Sequence, residues 1–340
     1  INSIAYSPHG SALAIGEQSG PNRLRIPYQI RIVGIQSGDT QRVLLGHTRP
    51  IAGLAFSPDG KTLVSHGADQ TVRIWHAPTL ESGTGDDFSV QRFVIPQSRG
   101  GVGQVTFSRD GTFAVAGTSK SVWATDEIVR RGSKYRQISR HLHRFSTIDY
   151  VKGLRFNQDG SSLATIKRSN VWYWNTTTWE GENMKGEWGR SVPVAISSDS
   201  RFVAVAVRGG IQVWNLAERR AVFSADLPGR GMGSALSFDG TMLATAEQNR
   251  FIKVWHVPTG KLWASVQPEY QPIHFAFSPD GKRLASASGR ASQKGPVTIW
   301  QLADRQEPTG KPLERIASYE HGGNVVSLSF SPDGYTLASG

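Results

Sequence analysis

Short apolar segments with alternating side chains recur along the chain and predict β-strands throughout. One unit repeats: apolar residues spaced three apart lead to Phe, followed by Ser-Pro-Asp-Gly, two further residues and Leu. It is intact around Phe56, Phe277 and Phe330, with degenerate copies at Tyr6, Phe107, Phe156, Ile196 and Leu236. The copies lie 40 to 53 residues apart, so the chain is built of small repeated units rather than two large domains.

The Ser-Pro-Asp-Gly segment predicts a tight hairpin turn. In residues 57–60, Pro58 fixes φ at the second turn position and Asp59 caps the turn with its side chain. Gly60 takes the left-handed conformation that closes the hairpin. Seven of the eight units keep this glycine. The remaining unit, around Ile196, has Ser200 in place of the glycine, and we expect a looser turn there.

A third strand, rich in β-branched and aromatic residues, is predicted after seven of the hairpins. These segments are residues 30–33, 72–75, 122–125, 171–174, 211–214, 252–255 and 297–300. A further turn leads to a short fourth strand, as in residues 261–266. Four strands per repeat predict an all-β β-propeller, in which each four-stranded antiparallel blade packs against neighbours on both faces.

Eight hairpins and seven third strands leave two arrangements for a single propeller spanning residues 1–340. An eight-bladed ring would have an incomplete last blade, whereas a seven-bladed ring would leave one hairpin to a neighbour. The count favours eight. Because the sequence starts at Ile1 and stops at Gly340, before an eighth third strand, we expect a fragment of a longer chain.

These residues resemble the tryptophan–aspartate (WD) repeat family of β-propellers over essentially the whole chain. The second repeat carries the resemblance best, because it has Gly-His at residues 46–47, Phe-Ser-Pro-Asp-Gly at residues 56–60, and the later Ser, Asp and Trp. In that family, four such side chains form a hydrogen-bonded network within a blade. The resemblance implies this structural role for His47, Ser65, Asp69 and Trp75.

The resemblance also implies a function. It is to the bacterial type of WD propeller, which is appended to larger signalling proteins such as serine/threonine kinases. It implies a non-enzymatic scaffold that docks partner proteins or sibling domains. Other repeats depart from the family pattern, since the loop Asp is replaced by Arg168, Arg208, Asn249 and Lys294. We expect those blades to rely on packing.

Composition narrows the classes of site. The absence of Cys excludes disulfides, thiolate zinc sites and cysteine nucleophiles. The nine His are scattered, and neither a nucleophile elbow nor a phosphate-binding loop is present, so we expect no catalytic residue, metal or cofactor. The longest apolar runs, such as residues 202–207, are far shorter than the roughly 20 residues of a membrane span. Without a signal peptide, we expect a cytoplasmic domain. We also expect this domain to be monomeric.

The net charge of +11 includes six positive charges in one insert, residues 130–144, which contains no acid. Its basic residues are Arg130, Arg131, Lys134, Arg136, Arg140 and Arg144. Interleaved with aromatic residues, and together with a positively charged face of loops, they could bind nucleic acid. We favour the alternative that this segment is an edge guarded by charge, with Arg136 and Arg140 on the outer fourth strand.

Arginines also mark the loops that enter first strands and those that join second to third strands. In the WD family these loops share one face around the channel. They carry Arg49, Arg99, Arg168, Arg190, Arg208, Arg230, Arg250 and Arg290. We hypothesise that this face docks an acidic or phosphorylated segment of a partner protein. The alternative is a hydrated rim whose arginines pair with acids of the same loops, namely Glu17, Asp149, Glu187, Glu247, Glu269 and Glu320.

Overall fold

A computed structural model describes most of the chain. The described residues are 3–17, 28–76, 89–94, 102–108, 111, 113–117, 121–125, 145–146, 151–156, 160–167, 171–184, 194–197, 199, 201–207, 209–227, 233–288, 295–302, 313–320, 325 and 327–340. The chain divides into two compact units. One comprises residues 1–167 and 174–181, and the other comprises residues 168–173 and 182–340.

Four sheets are formed by the first sixteen strands. The first sheet comprises β1 (Ser3–Tyr6), β2 (Ala12–Gly16), β3 (Tyr28–Gly34) and β4 (Thr40–His47). The second comprises β5 (Ile51–Phe56), β6 (Thr62–Gly67), β7 (Thr71–His76) and β8 (Ser89–Val94). The third comprises β9 (Val102–Phe107), β10 (Phe113–Gly117), β11 (Ser121–Thr125) and β12 (Phe145–Ser146). The fourth comprises β13 (Val151–Phe156), β14 (Ser162–Lys167), β15 (Val171–Asn175) and β16 (Gly181–Met184).

The remaining strands form four further sheets. The fifth comprises β17 (Val194–Ile196), β18 (Phe202–Val207), β19 (Gly210–Asn215) and β20 (Arg220–Asp226). The sixth comprises β21 (Gly233–Leu236), β22 (Met242–Ala246), β23 (Ile252–His256) and β24 (Lys261–Val266). The seventh comprises β25 (Pro272–Phe277), β26 (Arg283–Ser288), β27 (Pro296–Gln301) and β28 (Glu314–Glu320). The eighth has two strands, β29 (Leu328–Phe330) and β30 (Leu337–Ser339).

Each sheet uses strands that follow one another in the chain. In the described residues, seven sheets have four strands in sequence order and one has two. The pairing is antiparallel: in the second sheet Leu63 lies opposite Phe56 on one side and opposite Trp75 on the other. The fold is thus the all-β propeller architecture of four-stranded antiparallel blades that the repeats predict. The number of blades in a closed ring stays a prediction.

The hairpin turns confirm the role assigned to their glycines. Gly60 has a φ of 70°, and the other six unit glycines are also left-handed, namely Gly10, Gly111, Gly160, Gly240, Gly281 and Gly334. The Ser57 hydroxyl donates to Asp59 Oδ1 at 2.6 Å and accepts the N–H of Thr62 at 2.9 Å, which closes the turn.

The turn without glycine keeps these contacts. The Ser197 hydroxyl donates to Asp199 Oδ1 at 2.6 Å and accepts the Phe202 N–H at 3.0 Å. Arg201 adds an ion pair with Asp199 at 2.6 Å. These side-chain hydrogen bonds do not depend on the glycine, while Ser200, where we expect the looser turn, lies outside the described residues.

The cores lie between successive sheets. In the first unit, Leu63 and Trp75 of the second sheet pack with Ile30 and Ile32 of the first. In the second unit, the ring of Phe223 on β20 lies 5.9 Å from that of Trp255 on β23. The second strand β6 is buried at every position, because each of its faces meets another sheet.

First strands of neighbouring sheets contact one another within each unit. In the first unit β1 contacts β5, β5 contacts β9, and β9 contacts β13. In the second unit β17 contacts β21, β21 contacts β25, and β25 contacts β29. First strands are therefore innermost and fourth strands outermost, as in a propeller blade.

The outer strand of the third sheet is described only at its last two residues. Phe145 and Ser146 of β12 pair with β11, with Phe145 opposite Val122. The basic insert, residues 130–144, lies outside the described residues, and so do Arg136 and Arg140, which we expect on this strand.

Candidate functional site

The four side chains singled out in the second repeat form one hydrogen-bonded chain. His47 Nε2 lies 2.8 Å from Ser65 Oγ, which also accepts the indole N–H of Trp75 at 2.8 Å. His47 Nδ1 lies 2.9 Å from Asp69 Oδ2. Since His47 ends β4 of the first sheet, the network joins two successive sheets.

The Asp69 carboxylate is held in its ionised form. Burial disfavours ionisation, but hydrogen bonds from His47, from the Thr48 N–H and from Thr71 outweigh it, so the pKa of Asp69 lies well below its usual value. Gly67 makes room for this group, because an added Cβ would lie 2.7 Å from Nδ1 of His47. The network is compact and satisfied, which is the condition for a stabilising buried polar group.

Three other sheets keep part of this arrangement, which the sequence analysis missed. The indole N–H groups of third-strand tryptophans donate to second-strand hydroxyls: Trp174 to Thr165 at 3.0 Å, Trp255 to Thr245 at 3.2 Å and Trp300 to Ser286 at 2.8 Å. The signal is a Ser or Thr two residues after the Leu that faces the Trp. We expected these blades to rely on packing alone, but each also has this hydrogen bond.

The fifth sheet uses another acceptor. Trp214 lies opposite Val203, and the residue two positions on is Val205, which has no hydroxyl. The indole N–H of Trp214 donates instead to Gln212 Oε1 on its own strand, at 3.1 Å.

A second polar arrangement takes the place of the His–Asp pair in two sheets. Glu247, which is only 1% exposed, lies 2.7 Å from Nζ of Lys253 on β23. In the first sheet, Glu17 pairs with Arg31 on β3. By strand register, Glu17 and Glu247 occupy the position of Gly67. The signal for this pair is a Glu just after the second strand together with a basic residue on the third strand.

The loop face of each unit is the end where first strands begin and second strands lead into third strands. In the first unit it comprises residues 47–50 and 68–70, and in the second unit residues 247–250 and 267–271. Two predicted docking arginines, Arg49 and Arg250, lie there and are exposed. The other six, which are Arg99, Arg168, Arg190, Arg208, Arg230 and Arg290, lie outside the described residues.

The loop that carries Arg49 is anchored on both sides. The Thr48 N–H donates to Asp69 Oδ2 at 2.9 Å, and the Pro50 carbonyl accepts the Ala68 N–H at 2.8 Å. The buried network below therefore fixes the backbone on which Arg49 projects into solvent.

The loop that carries Arg250 is also anchored. Arg250 has a φ of 74°, in the left-handed region, and its Nη1 donates to the Glu269 carbonyl at 2.6 Å. The side chain of Gln267 donates to the Asn249 carbonyl at 3.0 Å, and that of Gln271 donates to the Glu247 carbonyl at 2.9 Å. These bonds join the two loops into one ordered surface.

At the described positions, the acids of the loops do not form ion pairs with the arginines of the loops. Glu17 and Glu247 contact basic residues of the third strands. Arg250 binds the main-chain carbonyl of Glu269, not its carboxylate. The Arg250 guanidinium thus keeps its positive charge available at the surface.

The described residues contain no group of three or more His, Cys, Asp or Glu side chains that could hold a metal ion. Within the same ranges, no helix has the length and apolar character needed to cross a membrane.

Two segments of the sequence match a known repeat family. Residues 38–76 and 313–340 match the family described as WD domain, G-beta repeat. Apoptotic protease-activating factor 1 of Rattus norvegicus is 23% identical over 348 residues, covering 98% of this chain and 21% of that protein. An uncharacterized WD repeat-containing protein of Synechocystis sp. is 29% identical over 162 residues, covering 47% of this chain and 43% of that protein. The chain therefore spans less than half the length of these curated relatives.

Among solved structures, Sqt1 of Chaetomium thermophilum, bound to the N-terminus of the ribosomal protein L10, has a similar fold. The TM-score is 0.75 at 18% sequence identity, and the match covers 99% of this chain and 93% of that chain. Two segments of the chain thus match the WD repeat model, and the chain shares its fold with this solved structure.

Proposed function

We propose that this chain is a non-enzymatic interaction scaffold that docks partner proteins or sibling domains on its loop face. The observation that carries the proposal is the surface around Arg250, where an exposed guanidinium is held by a hydrogen bond to the Glu269 carbonyl while Glu247 is bound to Lys253. An arginine that is fixed but not neutralised is suited to bind a carboxylate or phosphate.

The comparisons support this class of function. WD propellers generally mediate protein–protein interaction, and the similar solved structure is named for a complex with the N-terminus of a ribosomal protein. We further propose that the chain is of the bacterial type, appended to larger signalling proteins such as kinases; the Synechocystis relative supports the bacterial type alone.

The proposed mechanism is shape and loop chemistry without a covalent step. Hydrogen bonds fix the main chain next to Arg49 and the guanidinium of Arg250, so less conformational entropy is lost when a partner binds. An acidic or phosphorylated segment would receive charge-assisted hydrogen bonds from these guanidinium groups.

Charge reversal with a matched control tests this proposal. One variant carries Arg49→Glu and Arg250→Glu on the loop face, and the control carries Lys61→Glu and Lys282→Glu on exposed hairpin turns at the other end of the sheets. Both change the net charge by the same amount. Partners captured from lysate, with nuclease treatment as a separate arm, are compared by quantitative mass spectrometry.

We expect a defined set of proteins to be lost with the loop-face variant and retained with the control. Equal capture by both variants, or equal loss from both, would contradict docking on the loop face. Loss of binding on nuclease treatment would show that nucleic acid, not protein, is the partner.

A further inference from the structure

An exposed carboxylate lies next to the docking arginine of the second unit. Arg250 Nη1 donates to the main-chain carbonyl of Glu269 at 2.6 Å, and Glu269 is itself exposed. Among the described residues, no cation forms an ion pair with the Glu269 carboxylate. The surface around Arg250 therefore holds one fixed guanidinium and one unpaired carboxylate.

The charges of this surface sum to zero. Glu247 is buried and lies 2.7 Å from Nζ of Lys253, so this pair is neutral as a whole. The other charged residues of the two loops are Arg250 and Glu269. A ligand that binds Arg250 therefore meets one exposed positive charge and one exposed negative charge.

The negative charge of Glu269 acts on any anion bound to Arg250. Its carboxylate lies within one side-chain length of the carbonyl that holds the guanidinium, and exposed charges interact over about 8 Å at physiological ionic strength. Attraction to Arg250 and repulsion from Glu269 both grow in proportion to the charge of the ligand, whereas the cost of dehydrating the ligand grows with the square of that charge. A phosphoryl group carries about −1.5 to −2 at neutral pH and a carboxylate carries a single negative charge. The balance therefore favours the carboxylate.

The guanidinium of Arg250 has the donors that a carboxylate needs. Among the described residues only its Nη1 makes a hydrogen bond, which leaves the edge formed by Nε and Nη2. Two parallel N–H groups on such an edge bind both oxygens of a carboxylate. Glycine would adopt the φ of 74° at this position without strain, so an arginine here points to a use of its side chain.

Tyr270 provides an apolar surface beside this guanidinium. It follows Glu269 directly in the chain and is 39% exposed. Tyrosine and arginine are the residue types that most often dominate the binding energy of an interface. An apolar residue next to the carboxylate of a partner segment would pack on this ring.

The loop face of the first unit lacks an exposed carboxylate of this kind. The acid beside Arg49 is Asp69, which is buried and accepts hydrogen bonds from His47 and from the Thr48 N–H. Rejection of phosphate is therefore expected at Arg250 and not at Arg49.

We propose that the surface around Arg250 binds an unphosphorylated acidic segment of a partner protein, and that Glu269 is the residue that rejects phosphorylated segments. The segment presents an Asp or Glu carboxylate to Arg250 and an apolar neighbour to Tyr270. Glu269 disfavours the competing ligand by repulsion. This choice of ligand rests on the proposed docking on the loop face and narrows it to one chemistry.

The test measures how much of each of four pools of short synthetic peptides the immobilised chain retains. The central residue of a pool is Glu, Gln, Ser or phosphoserine, and the flanking positions are the same mixture of uncharged residues in all pools. The variant Arg250→Gly, which suits the left-handed backbone, is measured in parallel. The retention that this variant loses, read by quantitative mass spectrometry, is due to Arg250, so binding at other arginines is subtracted.

We expect the Arg250-dependent retention of the Glu pool to exceed that of the phosphoserine pool by at least about threefold, and little retention of the Gln and Ser pools. Glu269→Gln should raise the retention of both anionic pools. The factor for phosphoserine should be about the square of the factor for Glu, because repulsion scales with charge. Glu314→Gln changes the net charge equally, on an exposed acid at the other end of the seventh sheet, and should alter neither pool.

Arg250-dependent retention of the phosphoserine pool that equals or exceeds that of the Glu pool would overturn the proposal and leave docking on the loop face intact. The same conclusion holds if Glu269→Gln raises the two anionic pools by equal factors, or if Glu314→Gln acts as Glu269→Gln does. No Arg250-dependent retention of any pool would contradict docking at this arginine itself, and with it the choice of ligand.

Discussion

Nδ1 of His47 lies 2.9 Å from Oδ2 of Asp69, and both side chains are almost fully buried. His47 ends the outer strand of the first sheet, and Asp69 stands in the turn between β6 and β7 of the second. The contact therefore ties successive sheets together, and through Thr48 it fixes the loop that displays Arg49.

Replacing Asp69 by Ala should lower the free energy of unfolding by about 2 to 3 kcal/mol, because His47, Thr71 and the Thr48 N–H lose a charged acceptor. Urea unfolding measures the loss. Asn249→Ala is the matched control, since Asn249 holds the same turn position in the sixth sheet but is exposed. The control should change stability by less than about 0.5 kcal/mol. Similar losses for both variants would contradict the network.

The same carboxylate makes stability depend on pH. Its folded pKa lies below the unfolded value of about 3.9, so its contribution is present above that pH and is lost as pH falls through the folded pKa. Hydrogen bonds also lower the pKa values of Asp59, Asp280 and Asp333, so the unchanged chain has several acid-sensitive groups. The unfolding free energy of Asp69→Asn should therefore fall less between about pH 5 and pH 2 than that of the unchanged chain. Parallel curves would assign the acid sensitivity to other groups.

The indole bonds of the other sheets are testable one at a time. Thr165→Val keeps the shape of the side chain but leaves the buried indole N–H of Trp174 without its acceptor. We expect a loss of about 1 to 2 kcal/mol in the free energy of unfolding. Thr177→Val, on an exposed turn, serves as the control and should lie within about 0.5 kcal/mol of the unchanged chain. A loss no larger than the control would show that packing alone holds this blade.

The sequence predicts the strands that carry these bonds, but it does not predict the bonds themselves. Alternating apolar residues predicted the third strands, and the bounds of β24 are those expected, because period two is a local property of strands. The acceptor role of Thr165 required the register between two strands, which places a hydroxyl two residues beyond the Leu that faces the Trp. The pairing of Glu247 with Lys253 likewise depends on side chains that meet only across a hairpin.

The pair of Glu247 and Lys253 should behave as a buried ion pair. Lys253→Met leaves a buried carboxylate without its cation and should cost about 3 kcal/mol. The double variant Glu247→Leu and Lys253→Met should recover most of that loss, because no unpaired charge remains. Arg31→Met should cost less than about 1 kcal/mol, since Glu17 is more exposed than Glu247. Chemical denaturation of the unchanged chain, of the single variants Glu247→Leu and Lys253→Met and of the double variant measures the coupling, and additive losses in the double variant would contradict it.

The central claim, that partners dock on the loop face, is tested most directly by site-specific photo-cross-linking. A photoreactive amino acid replaces Gln248 or Tyr270 on the loop face, or Thr259 or Pro279 on turns at the other end of the sheets; Gln248, Tyr270, Thr259 and Pro279 are all exposed. We predict partner adducts from the two loop-face positions, which Arg250→Glu reduces, and none from the other two. Adducts that form equally from both ends, or only from the turns, would contradict the account.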